Sequence, residues 1–114
     1  MKLIIAIIRP ERLEAVQDAL TEHEVPLMTV SNVSGCGTQR GYTEVFRGGK
    51  IPVRLLPKLK LEIAVNEDFV ERTIKAITTA AHSGNIGDGK IFVLPLDQVV
   101  RIRTGETGGV AIGP

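Results

Sequence analysis

The chain reads as one α+β domain on a split βαβ plan, and three observations predict it. Short runs rich in isoleucine, leucine and valine alternate with amphipathic stretches in the order β-α-β, long loop, β-α-β. The 114 residues suffice for one compact core and little else. A hydrophobic fraction of 43% and a charged fraction of 24% describe a globular composition, not a disordered one.

Leu3 to Ile8 is apolar throughout and dominated by isoleucine, as a buried central strand would be. Pro10 suits a first helical turn and Glu11 its positive end. Leu13, Val16, Ala19 and Leu20 recur at helical spacing, which predicts an amphipathic helix over about 10–24, ended by Pro26. Thr29 to Ser34, with Val30 and Val33 among polar residues, reads as a second strand. Leu55 to Val65 predicts a third, with Leu59, Leu61 and Ile63 on one face and Lys58, Lys60 and Glu62 on the other. Asn66-Glu67-Asp68 supplies caps for a second helix that carries Phe69, Val70, Ile74 and Ile77 in one stripe and ends at Gly84 as a left-handed cap. Ile91 to Leu94 is a fourth strand, and Val99 to Ile102 a candidate fifth before a glycine-rich tail. The order is that of the ferredoxin-like fold, βαββαβ: an antiparallel sheet with two helices on one face, in a single domain spanning 1–114. No third helix is predicted for the other face, so self-association is the natural way to cover it.

Composition removes several functions. A net charge of +1 argues against coating nucleic acid or anionic lipid, which needs concentrated cationic charge. With no Trp, one Tyr and three Phe, stacking platforms for bases are scarce. A single cysteine, Cys36, excludes an internal disulfide and any all-cysteine metal site. No apolar run approaches the roughly 18 residues of a membrane span. Met1 to Arg9 resembles a signal sequence, but its apolar stretch is short and closed by Arg9-Pro10 without a cleavage site. A cytoplasmic protein without membrane insertion or nucleic-acid binding is expected.

The connection from about 37 to 54 exceeds the length of an ordinary packing loop. It reads either as a hairpin extension or as a mobile arm that presents Phe46 and Arg47, between deformable glycines, to a partner. Gly84-Asn85-Ile86-Gly87-Asp88-Gly89-Lys90 lacks the Lys-Ser/Thr pair and the strand-to-helix position of a P-loop. Its glycine amides and Lys90 can nevertheless cradle an anion, although a structural turn explains the same residues equally well. Arg101 and Arg103, if alternate on a strand, would project together and grip phosphate oxygens; otherwise they are solvated charges on an edge. Gly35-Cys36-Gly37 offers another close backbone approach. Cys36 reads as a space-filler, Met28 as a packing residue, Lys58 and Lys60 as solvated, and Asp88 as a turn residue. His23 and His82 are placed to complement helix C-termini, not to ligate a metal.

Ser83 to Val93, followed by Arg101-Ile102-Arg103-Thr104-Gly105-Glu106, closely resembles the PII nitrogen-regulatory signal-transduction proteins, and the similarity runs from Met1-Lys2-Leu3-Ile4 through Gly41-Tyr42-Thr43-Glu44 and Leu56-Pro57-Lys58. The resemblance implies a homotrimer with nucleotide sites between neighbouring subunits. Gly87, Asp88, Gly89 and Lys90 would wrap the phosphates of ATP or ADP, and Arg101 and Arg103 would complete their neutralisation. Thr29 and Ala64 would lie beside the adenine, and Gly35, Gly37 and Thr38 at the base of the arm, called the T-loop in this family. Gln39 would help hold Mg²⁺ on the ATP phosphates, and with Lys58 would bind 2-oxoglutarate. Arg47, beside Phe46, matches an arginine that family members insert into an ammonium channel, so the implied target is an ammonium transporter or a metabolic enzyme.

The chain departs from the family pattern in the arm. Ile51 replaces the tyrosine that many bacteria uridylylate, and without a hydroxyl it cannot be nucleotidylylated. Gly49 replaces a phosphorylated serine, Lys50 an acid, and Thr38 an arginine near the phosphates. These changes favour regulation by ligand over covalent modification. They also motivate an alternative sensor of AMP, cyclic AMP or bicarbonate. A slow ATPase or small phosphatase is a third reading, although no nucleophile–base pairing stands out. The tail, about 104–114, reads as mobile unless a ligand pins it.

Overall fold

The computed structural model describes residues 1–36, the backbone of 44–46 and 49–51, and residues 55–113. Strand β1 (Lys2–Ile8) is followed by a 3₁₀ turn at Pro10–Arg12, helix α1 (Leu13–Glu22) and strand β2 (Thr29–Gly35). Two short strands, β3 (Glu44–Phe46) and β4 (Gly49–Ile51), pair antiparallel in a sheet of their own. Strand β5 (Leu56–Val65), a 3₁₀ turn at Glu67–Phe69, helix α2 (Val70–Ala81), strand β6 (Gly89–Pro95) and helix α3 (Gly109–Ile112) complete the chain. The main sheet has the order β2-β5-β1-β6 with every neighbouring pair antiparallel, so the two βαβ units interleave as the sequence predicts. Among the described residues, no helix is long and apolar enough to cross a membrane.

Alternation along the central strands sets the core. Ile4, Ala6 and Ile8 of β1 stand opposite Ile63, Leu61 and Leu59 of β5, and all six are buried. Val16 and Leu20 of α1 and Ala76 and Ile77 of α2 close over them. Met28, Phe69, Val70 and Ile74 pack at the margin. The only buried polar residue among those described, Thr73, turns its hydroxyl back to the carbonyl of Phe69 at 2.6 Å. The opposite face carries Leu3, Ile5 and Ile7, all part-exposed, next to Leu94, Phe92 and Lys90 of β6.

Several boundaries differ from expectation, each for a local reason. Helix α1 ends before His23, ahead of Pro26. Glu24 takes the left-handed conformation (φ 63°), the Val25 amide donates to Leu20 at 2.8 Å, and the Glu24 amide to Thr21 at 3.0 Å. This is a Schellman closure in which Val25 and Leu20, both buried, make the accompanying apolar contact. Asn66 makes no side-chain cap on the second helical segment; its amide instead donates to the carbonyl of Gly109 at 3.1 Å, and Glu67 accepts from the N-terminal amine. Helix α2 stops at Ala81 with His82 extended, so the left-handed Gly84 (φ 87°) shapes the loop beyond and does not cap the helix.

The predicted fifth strand is absent. Val100 forms one isolated bridge to Thr107, the Gly105 amide returns to Arg101 at 2.7 Å, and Gly105 itself is left-handed. A turn-forming Thr-Gly pair closes a tight loop here instead of extending a strand. The tail is fastened, not mobile: Ile112 is buried, Asn66 holds Gly109, and Arg101 holds Val110. Cys36 is exposed in the single chain and fills no space among the described residues. Gly37, Thr38, Gln39 and Arg47 lie outside the described residues, and Phe46 is described only as a backbone position in β3.

A non-glycine residue in the left-handed region costs about 1–2 kcal/mol, partly offset by the extra freedom glycine has when unfolded. Glu24→Gly is therefore expected to raise stability by about 0.5–1 kcal/mol, read as a higher urea midpoint at unchanged slope.

Candidate functional site

The glycine loop after α2 lies over the end of β1, and glycine is required where it docks. Gly89 has φ +108°, and a Cβ there would sit 1.7 Å from the carbonyl oxygen of Ile7. Gly87 is also left-handed (φ 105°), so the chain turns sharply on either side of Asp88. Lys58, on neighbouring β5, reaches across and donates from Nζ to the carbonyl of Gly87 at 2.7 Å. It is therefore tied to the loop, not solvated as its strand alternation suggested. A Cβ at Gly35 would stand 3.9 Å from Lys58 Cγ, which places the start of the long connection beside the same cluster. Strand register adds Lys60, Ile7 and Lys90 as one row on the face away from the helices. A groove of about 380 Å³ runs alongside between α2 and β6, walled by Ile74, Ile77 and Ile91 and reaching His82, Asp88 and Lys90.

Asp88 is the organising acid of the loop. Its carboxylate accepts hydrogen bonds from the hydroxyl of Ser83, from the amides of Ser83 (2.7 Å) and Gly84 (2.9 Å), and from Nε of Arg9 (3.1 Å). The Ser83 hydroxyl and amide lead in holding its pKa well below the usual carboxylate range, the Gly84 amide and Arg9 add to them, and partial desolvation opposes. His82 Nδ1 stands 3.9 Å away on an exposed ring. The turn role assigned to Asp88 is thus the one its geometry expresses. His23 donates from Nδ1 to the carbonyl of Ala19 at 2.8 Å, at the helix C-terminus as expected.

The other expected nucleotide residues gather at the far end of the sheet. Ala64 is near the end of β5 and Thr29 opens β2, while the tail reaches this region through Asn66 and through Gly113, where a Cβ would lie 4.0 Å from Leu27. Arg101 donates from Nη1 to Glu106 at 2.8 Å and from Nη2 to the carbonyl of Val110 at 3.0 Å. Thr104 donates to the same Glu106 oxygen at 2.8 Å. Arg103 is exposed without a partner among the described residues, and Ile102 between the arginines is 99% exposed. The arginines therefore sit on a closed loop, and the strand alternation proposed to aim them together does not apply. Lys58 and Ala64 stand six positions apart on β5, roughly 20 Å at about 3.3 Å per residue. The residues expected at the phosphates and those expected at the adenine thus lie toward opposite ends of one chain's sheet, as two candidate half-sites.

Arg9, Ser83 and Glu106 are the participants that sequence reasoning did not single out. Arg9 merely closes an apolar run before a proline, and no periodic signal ties it to a residue 79 positions away. The Ser83–Asp88 spacing inside a glycine loop was the one local hint.

Gly89→Ala is expected to detach the loop from β1 and cost at least about 2 kcal/mol, read as a lowered thermal midpoint. Asp88 supplies a pH test. Its folded pKa lies below the unfolded value near 3.9, so its contribution is present above that value and is lost as pH falls through the depressed folded pKa. Carboxyl-detected NMR should find Asp88 still ionised at pH 3; a midpoint near 3.9 would contradict the arrangement.

The profile of the family described as nitrogen regulatory protein P-II matches residues 1–106. Nitrogen regulatory protein GlnK1 of Methanosarcina mazei is 56% identical over 114 residues, covering 98% of this chain and 97% of the relative. Nitrogen regulatory protein P-II of Azospirillum brasilense is 53% identical over 112 residues, covering 98% and 100%. Nitrogen regulatory protein P-II 2 of Methanothermobacter thermautotrophicus is 51% identical over 112 residues, covering 98% and 97%. Identity of this order along the whole chain, on a sheet of the predicted topology, leaves one assignment. The chain belongs to the P-II nitrogen regulatory protein family, a family of regulators and not of enzymes.

Proposed function

We propose that the chain acts as a cytoplasmic homotrimer that senses ATP against ADP, together with 2-oxoglutarate, and reports the result to a protein target through residues 37–54. The observation that carries this reading is the separation of the half-sites. On this reading the amides of the Gly87–Lys90 turn would receive a phosphate, with Lys90 and Lys58 as cations beside it. Arg101, Arg103, Thr29 and Ala64 would then come from a neighbouring copy: Ala64 stands roughly 20 Å along β5 from Lys58, Thr29 pairs with Glu62 toward the same end, and Arg101 is held by the tail segment that Asn66 also holds. The uncovered face with Leu3, Ile5, Phe92 and Leu94 supports self-association.

Mg²⁺ would arrive with the ATP phosphates, and the side-chain amide oxygen of Gln39 is the hard donor that suits it. The carboxylate of 2-oxoglutarate would compete with the Gly87 carbonyl for the Lys58 ammonium, which links effector binding to the loop. A ligand at the base of residues 37–54 shifts that segment only by favouring one of its states, and the γ-phosphate with its metal supplies the difference between ATP and ADP. By analogy with a relative named GlnK1, an ammonium transporter is the favoured target.

Titration calorimetry with ATP and with ADP tests the reading, with and without Mg²⁺ and 2-oxoglutarate. Both nucleotides should bind, and Arg101→Ala with Arg103→Ala should weaken ATP by at least about tenfold, or about 1.4 kcal/mol. Native mass should be three times the 12.3 kDa chain. Absence of nucleotide binding at millimolar concentration, or a monomeric particle, would overturn the proposal.

A further inference from the structure

Arg9 is the first residue beyond β1, set in place by Pro10 and its 3₁₀ turn. Its guanidinium meets the glycine loop at two points. Nε donates to Asp88 Oδ1 at 3.1 Å, and Nη2 donates to the carbonyl of Ile86 at 2.7 Å. Asp88 in turn gathers the Ser83 hydroxyl and the Ser83 and Gly84 amides. One ion pair therefore ties together the start of the loop, its tip and its return into β6. Both partners are largely withdrawn from water, with side-chain exposures of 24% and 23%.

We infer that Arg9 and Asp88 form a latch that shapes residues 83–90 before any anion arrives, and that Arg9 is thereby a positioning residue of the nucleotide site; the inference rests on the nucleotide reading above. Two physical effects make the latch matter. Gly84, Gly87 and Gly89 all occupy left-handed backbone, and a loop with three such glycines has many alternatives to lose unless something holds it. Asp88 is also an acid beside the turn proposed to hold phosphate. Arg9 neutralises it through Oδ1, and the Ser83 and Gly84 amides engage its other oxygen, Oδ2. Without Arg9 the loop would present an unbalanced carboxylate to a polyanion.

Arg9→Gln removes the charge and one of the two tethers, and Arg9→Lys keeps the charge but cannot span both acceptors. Hydrogen exchange of the Ser83 and Gly84 amides in the unliganded protein should accelerate at least about tenfold in Arg9→Gln, with β5 amides unchanged. ATP affinity should fall at least about tenfold, with Arg9→Lys intermediate. Asp88→Asn should cost nothing further once Arg9 is gone and, by removing the unbalanced carboxylate, should leave the double variant at least as tight as Arg9→Gln alone. Unchanged exchange in Arg9→Gln, or losses that multiply in the double variant, would overturn the latch. Wild-type affinity for ATP in Arg9→Gln would overturn the positioning role and leave the nucleotide reading intact. A wild-type chain that binds neither nucleotide, with exchange still responding to Arg9→Gln, would overturn the nucleotide reading and the positioning role together.

Discussion

Ile7 offers its carbonyl to a space that only a residue without a Cβ leaves open, and the loop from Ser83 to Lys90 reaches its place because residue 89 is glycine. The strand that carries Ile7 pairs with β5 on one side and β6 on the other, so its last residues are held in the sheet from both sides. Fastening a glycine-rich segment to such a point turns a flexible stretch into a defined surface. Lys58 from β5 and Arg9 from the end of β1 secure the same loop from two directions. Core packing of Ile4, Ala6 and Ile8 is thus transmitted to the position of an exposed loop through a few residues.

Charge is arranged around that loop with a purpose that pairing alone does not explain. Asp88 and Arg9 cancel each other, while Lys60 and Lys90 flank Ile7 on the open face with no acid recorded against them among the described residues. At the far end Arg101 is steadied by Glu106 and by the tail carbonyl of Val110, and Arg103 is left exposed. Each end of the sheet thus carries cations not matched by an acid among the described residues.

The tail belongs to this scheme more closely than its composition suggests. Gly109 stands where a Cβ would come within 2.7 Å of the Asn66 side chain, and Asn66 is the residue at which β5 gives way to the second helical segment. Ile112 packs against the core end, and Arg101 is oriented by the same segment. The small residues of the tail therefore permit close approach and do not confer freedom.

What could be read from the residues alone was whatever depends on period and on local chemistry. Alternation in Leu59, Leu61 and Ile63 and the helical stripe through Val16 and Leu20 each report one buried face, so strand order class and helix placement were legible, as was the family through its glycine and arginine segments. Tertiary structure decided the rest. Glu24 and not Pro26 ends α1, since Val25 gains a buried position only by that closure. Arg101 and Arg103 lie on a turn because the left-handed Gly105, whose amide returns to Arg101, closes a tight loop there. Arg9 finds Asp88 only when β1 and the end of α2 are brought together, and an ion pair between residues so distant in the chain leaves no periodic trace in either segment.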